Sequence, residues 1–209
     1  MVNDGCQHPS DCQILESYRE NAREKQEMEL TDQTRLLYPK AEPVKLLLLD
    51  VDGVLTDGSL IYSEDGIESK AFNTQDGLGI RLVQKAEVEV GIITARSSKL
   101  VARRASELNI THLMQGVSKK FEAYKELLHK RNLKPYQVCY MGDDWIDLPI
   151  LTKVGFATCP ANSVTEVQEH CHFVTARSGG SGAVREVCDI LLKSKGVFKS
   201  LLQNYLGSC

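Results

Sequence analysis

Four short apolar runs punctuate the chain after Val44: "VKLLLLD" (44–50), "VEVGIIT" (88–94), "VCYMGD" (138–143) and "GFAT" (155–158). Each closes on a polar or small residue, and within each the apolar positions run on without alternating. That is the pattern of strands buried on both faces of a parallel sheet. Between and after them lie helical patterns at 77–85, 97–108, 119–131, 148–154 and 184–195. The alternation predicts an α/β fold, a doubly wound parallel sheet flanked by helices, with its site at the carboxyl ends of the strands. A different pattern occupies "SLIYSEDGIESKAF" (59–72), where two partly alternating runs meet at Asp65-Gly66, a dipeptide suited to a hairpin turn. A β-hairpin is expected there, projecting as a flap beside the exit of the first strand.

The two ends read differently. Residues 1–40 carry eight acids against four bases up to Arg35 and little apolar periodicity beyond Leu15, Tyr18 and Ala22. They are expected to form a poorly ordered or helical extension, too acidic for a transit peptide. The domain proper is placed at 41–195. The tail, 196–209, has Val197, Phe198, Leu201, Leu202 and Tyr205 as its apolar face, for packing on its own core or on a neighbouring subunit.

Composition narrows the class. With 209 residues and 42% hydrophobic content the chain can bury one ordinary core, and a net charge of −3 without a Lys/Arg block argues against nucleic acid as partner. No apolar run is long enough to span a bilayer. Seven cysteines form no CxxC pair, which points to reduced thiols and a cytoplasmic protein.

The first run ends in "DVDGVLTDG", so Asp50, Asp52 and Asp57 gather at one strand exit. Carboxylates crowded there repel one another unless a cation is expected. Asp50 and Asp52, two apart on an extended segment, are expected to point the same way and to hold Mg²⁺ through a carboxylate, a backbone carbonyl and water. A second acidic cluster, "GDDWID" (142–147), ends another strand, and parallel topology brings the two to one edge. Thr94 closes a third strand and Lys120 opens a helix; a hydroxyl and an ammonium at neighbouring exits suit a transferring phosphoryl group. Asp50 would attack phosphorus to give an aspartyl-phosphate, and Asp52 would serve as acid and then base. Taken singly, Thr94 also reads as a helix N-cap and either Lys119 or Lys120 as a solvated side chain.

The order of these segments resembles the haloacid dehalogenase superfamily of phosphatases. The resemblance implies Asp50 as nucleophile, Asp52 as acid/base, Thr94 and Lys120 as phosphate donors, and Asp50, Asp52 and Asp143 as the Mg²⁺ site. Lys120 is preferred to Lys119 because the Gly-x-x-x-Lys spacing starts at Gly116. The stretches 53–93 and 121–142 leave no room for a cap domain, so a neighbouring subunit is expected to cover a capless site.

"FNTQDGLGIR", "ITARSS", "THLMQGVSKK" and "GGSGAVREVCDILL" narrow the resemblance to the 3-deoxy-D-manno-octulosonate (KDO) 8-phosphate phosphatase family, over Val44 to Lys195. That family implies a homo-oligomer, a tetramer, acting on a small sugar-acid phosphate. It also implies substrate contacts from Asp52, Asn73, Thr74, Gln75, Asp76, Gly77, Arg81, Arg96, Arg104 and Lys120. Guanidinium groups suit the carboxylate of such a substrate, and the loop 73–77 opens a helix whose N–H groups suit an anion. Gln75 stands where relatives commonly carry Arg, which keeps a nine-carbon (KDN or sialic acid type) 9-phosphate open as the substrate. A non-catalytic oligomerisation module of the same fold is the other alternative.

Overall fold

The computed structural model describes residues 11–28 and 32–207. The chain divides into two compact units, 1–36 and 37–209. In the first lie α1 (Asp11–Met28) and α2 (Asp32–Leu36), and on α1 the side chains of Ile14, Leu15 and Tyr18 are exposed. The second unit begins at Leu37, earlier than the expected 41, because Leu37 and Ala41 already pack on the main core. The remainder of the expected extension, residues 1–10 and 29–31, lies outside the described residues.

The second unit runs α3 (Tyr38–Ala41), β1 (Leu46–Leu49), β2 (Ile61–Tyr62), β3 (Glu68–Ser69), α4 (Thr74–Lys85), β4 (Glu89–Ile93), α5 (Lys99–Glu107), β5 (His112–Met114), α6 (Lys120–Arg131), β6 (Val138–Met141), α7 (Leu148–Leu151), β7 (Phe156–Cys159), α8 (Thr165–Gln168), β8 (Phe173–Val174), α9 (Ala183–Ser194) and α10 (Phe198–Leu206). Six strands form one sheet in the order β5-β4-β1-β6-β7-β8, and all its pairings are parallel. The chain leaves β1 toward β4 on one side and later pairs β6 on the other, so the exit of β1 is the switch point where such folds place a site.

The period of two explains why these strands are apolar throughout. Leu47 and Leu49 of β1 enter one core with Val90, Ile92, Cys139, Met141 and Phe156, while Leu46 and Leu48 enter a second core with Ile93, Val138, Tyr140 and Ala157. A polar residue at either parity would face a helix layer rather than water. The first core is closed by α3, α4, α5 and α9 through Val83, Val101, Val187 and Leu191, the second by α6 and α7 through Leu127, Leu128 and Ile150.

β2 and β3 pair antiparallel, with Ile61 opposite Ser69 and Tyr62 opposite Glu68, so the hairpin signal at Asp65-Gly66 corresponds to a two-stranded element. In the tail, Val197, Phe198 and Leu201 pack on this chain's own core, and Leu202 and Tyr205 line a groove with Leu78, Leu82 and Leu192.

Candidate active site

β1 ends at Leu49, and Asp50 sits at the sheet's edge with its N–H donated to the Met141 carbonyl at 3.0 Å. The chain then turns instead of staying extended. The N–H groups of Val54, Leu55 and Thr56 all donate to the Val51 carbonyl, and Gly53 lies at φ +88°. A β-carbon at Gly53 would stand 2.0 Å from Asp143 Oδ2, so only glycine lets the β1 loop and the β6 loop approach this closely. The loop is backed by Gly179, whose own β-carbon would collide with the Gly53 carbonyl at 1.8 Å.

That turn separates the two aspartates. Asp50 points into a buried acidic set with Asp143 and Asp147, each offering a ligand atom within 4.8 Å of the others. Asp52 points elsewhere, to an ion pair with Lys70, whose side chain is sealed from solvent, and to Arg96 Nε at 3.7 Å. The expected shared direction of the Asp50 and Asp52 side chains is therefore corrected: the Asp52 carboxylate lies outside the acidic set. The reason is local: a residue in a turn does not follow the two-residue period of a strand.

Lys120, 3% exposed at the start of α6, reaches Asp50 Oδ2 and Asp147 Oδ1, each at 2.8 Å. Of the two adjacent lysines it is this one whose ammonium enters the acidic set. Asp147 is fully used by its neighbours. Its Oδ1 accepts from Lys120 and from the Tyr140 hydroxyl at 2.6 Å, and its Oδ2 accepts the N–H groups of Asp143 and Asp144. Asp147 thus orients the lysine and the 143–144 backbone, and leaves Asp50 and Asp143 as the carboxylates with capacity for an ion. Thr94, buried at the exit of β4, accepts from the Arg96 N–H at 3.4 Å, while Ser98 caps α5. The N-cap alternative for Thr94 is therefore replaced by a hydroxyl at the neighbouring strand exit.

Burial, then repulsion from Asp147, pushes the Asp50 carboxyl up to about 6, against the pull of Lys120. Burial and the charges of Asp50 and Asp147 push Asp143 up to about 7. The two carboxylates are held where ionisation is disfavoured unless positive charge arrives. Their donors are oxygen only, the set a hard divalent cation takes.

A second group gathers around Asp52. Glu68 on β3 contacts Lys70 and Arg96 at 3.5 and 3.6 Å and accepts from the Ser98 hydroxyl at 2.8 Å. Arg96 also donates to the Tyr62 hydroxyl at 2.7 Å. The hairpin is thereby tied to the strand exits through charge, and Arg96 lies beside Asp52 and Glu68. Lys70 and Glu68 escaped the sequence reading, because a lysine flanking a hairpin strand reads as a solvated side chain.

The expected substrate loop has other duties. Asn73 is the N-cap of α4, its Oδ1 taking the N–H groups of Gln75 and Asp76, so two of the donors assigned to an anion are already occupied. Thr74 is exposed; Gln75 accepts from Arg177 at 2.6 Å. Asp76 is buried and accepts the Arg185 N–H at 2.7 Å, which makes it an N-cap delivered from α4 to α9, a helix whose own N-cap is Gly182. Gly77 is buried beneath Arg104, which donates to the Asn73 carbonyl at 3.3 Å and lies over the Phe72 ring. Arg81 donates to the Glu107 carbonyl and lines a depression of about 570 Å³ with Glu87, Val88 and Glu89, at the amino end of β4. That end of a parallel strand faces away from the site, so the structure does not bring Arg81 there. Arg81 fell short because two turns of helix carry it away from the exits.

Asp76→Ala is expected to destabilise the fold by about 1–2 kcal/mol, the scale of a lost cap, and Asp76→Asn by less, since Asn keeps an acceptor. Urea unfolding of the two variants checks this; equal losses would contradict the cap.

With this geometry in place, comparison with known proteins is specific. A family model described as haloacid dehalogenase-like hydrolase matches residues 93–187. The 3-deoxy-D-manno-octulosonate 8-phosphate phosphatase of Escherichia coli K12 is 48% identical over 157 residues, 75% of this chain and 84% of the relative. That of Yersinia pestis is 46% identical over 153 residues, 73% of this chain and 82% of its own length. A crystal structure of the phosphatase of that name from Moraxella catarrhalis, in complex with magnesium, phosphate and KDO, superposes with a TM-score of 0.80 at 39% identity, covering 81% of this chain and 97% of that one. A cobalt-bound Haemophilus influenzae structure gives 0.76 at 34% identity, covering 80% and 99%. The chain belongs to the haloacid dehalogenase-like hydrolases, in the branch of the 3-deoxy-D-manno-octulosonate 8-phosphate phosphatases. It is therefore a phosphatase.

Proposed function

We propose that this protein hydrolyses 3-deoxy-D-manno-octulosonate 8-phosphate to KDO and phosphate, with Mg²⁺ held by Asp50 and Asp143. The observation that carries the reading is Asp50 at the exit of β1, buried and held by Lys120 beside Asp143. The relatives named for that reaction support the substrate. Asp50 attacks phosphorus while the bond to the sugar oxygen breaks, leaving an aspartyl-phosphate. Asp52, close by but outside the acidic set, protonates the departing oxygen and then takes the proton of the water that releases phosphate. The Thr94 hydroxyl and the Lys120 ammonium donate to the phosphoryl oxygens, and Arg96 pairs with the substrate carboxylate. When bound, Mg²⁺ supplies charge neutralisation between the carboxylate and the phosphate.

A phosphate-release panel with Mg²⁺ tests this, setting eight- and nine-carbon keto-acid phosphates against hexose phosphates. The expected result is highest kcat/KM for the eight-carbon substrate. Preference for the nine-carbon 9-phosphate would shift the substrate, in keeping with Gln75, and preference for hexose phosphates would discard the branch-level reading.

The raised carboxyls set a pH dependence. Asp50 and Asp143 keep protons in the folded state up to about 6 and 7, whereas their ordinary value is 3.8. Between pH 4 and 7 the ion-free folded state holds more protons than the unfolded chain, so its stability falls as pH rises through that window. Mg²⁺ must displace those protons. Its dissociation constant is expected to drop about tenfold or more from pH 5 to pH 7.5. Titration calorimetry at the two pH values checks it, and a pH-independent constant would refute it.

The chain is further proposed to act as a homotetramer in the cytoplasm. Exposed Leu60, Ile61, Tyr62 and Ile67 on the hairpin support association, and no helix among the described residues is long and apolar enough to cross a membrane. Light scattering coupled to size-exclusion chromatography tests the subunit number.

A further inference from the structure

Asp50 and Asp52 are each met by a lysine whose side chain is sealed from solvent, and the two lysines come from different elements. Lys120 of α6 serves Asp50. Lys70, directly after β3, serves Asp52, and its side chain is 1% exposed. Enclosing an ammonium is costly unless it is paired, so a lysine shut in beneath a surface hairpin marks a built contact.

The hairpin's register delivers Lys70 to that position. Tyr62 of β2 lies opposite Glu68 of β3, and Lys70, two residues on, follows Glu68 to the same side. All three meet the strand exits: the Tyr62 hydroxyl accepts from Arg96, Glu68 accepts from the Ser98 hydroxyl, and Lys70 donates to Asp52. Ile61 and Ser69, at the other parity, are exposed. A slip of one residue in this pairing would turn Lys70 out and Ser69 in.

The grip is specific to one oxygen. The Lys70 ammonium donates to Asp52 Oδ1 and reaches Glu68 Oε1 at 3.5 Å. Asp52 Oδ2 is left to Arg96, whose Nε stands 3.7 Å away, beyond hydrogen-bonding distance. With a side chain 44% exposed against 1% for Lys70, Arg96 is the partner that can swing away and Lys70 the one that stays.

We infer that Lys70 is the positioning residue of the acid/base: it fixes Asp52 through Oδ1, so that Oδ2 is the oxygen that gives and takes the proton. In the first step the Oδ2–H bond breaks and its proton goes to the sugar oxygen. The bond from that oxygen to phosphorus breaks as Asp50 bonds to phosphorus. In the second, Oδ2 takes a proton from water while the water oxygen bonds to phosphorus and the Asp50–phosphorus bond breaks. Lys70 acts through Asp52 rather than on the phosphoryl group. A carboxyl without that hold turns about its side-chain bonds, and a misplacement of about 1 Å lowers turnover on the order of 10²-fold. The hairpin is thereby part of the acid/base, because its register gives Asp52 a direction.

The inference rests on Asp52 as acid/base, and the experiment separates the two. Asp52→Asn, Lys70→Met, Lys70→Arg and Asp52→Asn/Lys70→Met are compared with the parent on KDO 8-phosphate in saturating Mg²⁺, with urea unfolding of each. Lys70→Met is expected to lower kcat on the order of 10²-fold with KM held within about threefold. Lys70→Arg, which keeps a cation for Oδ1, is expected to recover part of that loss. The double variant is expected to be no slower than Asp52→Asn, because Lys70 then has nothing to position. With p-nitrophenyl phosphate, the leaving oxygen departs without a proton. Lys70→Met is expected to release its first equivalent of p-nitrophenolate at close to the parent's rate, then to turn over slowly. A first equivalent slowed as much as the later ones would place the damage at Asp50 and overturn the inference. A raised KM with unchanged kcat would overturn it too, as would losses that multiply in the double variant. If Lys70→Met does not fold, the double variant, which loses both charges together, still decides by its rate against Asp52→Asn. Full activity in Asp52→Asn would remove the acid/base reading itself, and the inference with it.

Discussion

Asp50→Asn is expected to abolish phosphate release, lowering kcat by on the order of 10⁴-fold or more, as loss of a nucleophile does. The substitution is close to isosteric, so the packing at the exit of β1 persists. The amide oxygen can still accept from Lys120, where Asp50 Oδ2 accepts at 2.8 Å. What disappears is a charged oxygen able to bond to phosphorus. Because burial already holds this carboxyl up at about 6, removing its charge relieves repulsion with Asp147. The ion-free variant is therefore expected to unfold no more easily than the parent at pH 7.5, the sign opposite to that of ordinary core damage. Thermal unfolding and phosphate release measured on the same preparation separate the two effects. An active Asp50→Asn protein would remove Asp50 as nucleophile; an inactive one that is also unfolded at ambient temperature would show that the loss came from the fold.

How far the sequence reveals this site follows from which interactions are periodic. β1, β4, β6 and β7 are legible because both parities of each strand are buried, which writes unbroken apolar runs into the chain. β5 and β8 are three and two residues long and lie at the sheet's edges, too short to impose a pattern. Asp50, Thr94, Lys120 and Asp143 are legible because each stands next to an element boundary that the apolar pattern already marks. The direction of the Asp52 side chain is not legible because the turn after Asp50 depends on Gly53 at positive φ and on contacts with Asp143, a residue about ninety positions away. Lys70 and Asp76 carry no local sign of their work. One is a lysine made interior by a hairpin folding over Asp52, the other an aspartate capping a helix more than a hundred residues later in the chain. Tyr140 reads as a core aromatic because its ring is one, and only its hydroxyl on Asp147 belongs to the site.

Lys120→Met tests whether that buried set is held together by one cation. Lys120 is the ammonium between Asp50 and Asp147, and both of those partners are almost wholly buried. Methionine replaces the stem but leaves Asp50, Asp143 and Asp147 facing one another without compensating charge. Removing one partner from a buried ionic group typically costs about 3–5 kcal/mol, far above the worth of a surface pair. The ion-free variant is expected to lose stability on that scale at pH 7.5 and less at pH 5, where protons on Asp50 and Asp143 relieve the crowding. Mg²⁺ is expected to recover part of the loss, because it neutralises the same oxygens. Turnover in saturating Mg²⁺ is expected to stay depressed by on the order of 10²–10³-fold, because the donor to the phosphoryl oxygens is gone whatever the fold's stability. Urea unfolding with and without Mg²⁺ at both pH values, together with kcat, reads these effects separately. If the loss is the same at pH 5 and pH 7.5, the cost of Lys120→Met lies in packing, and the set is not governed by charge.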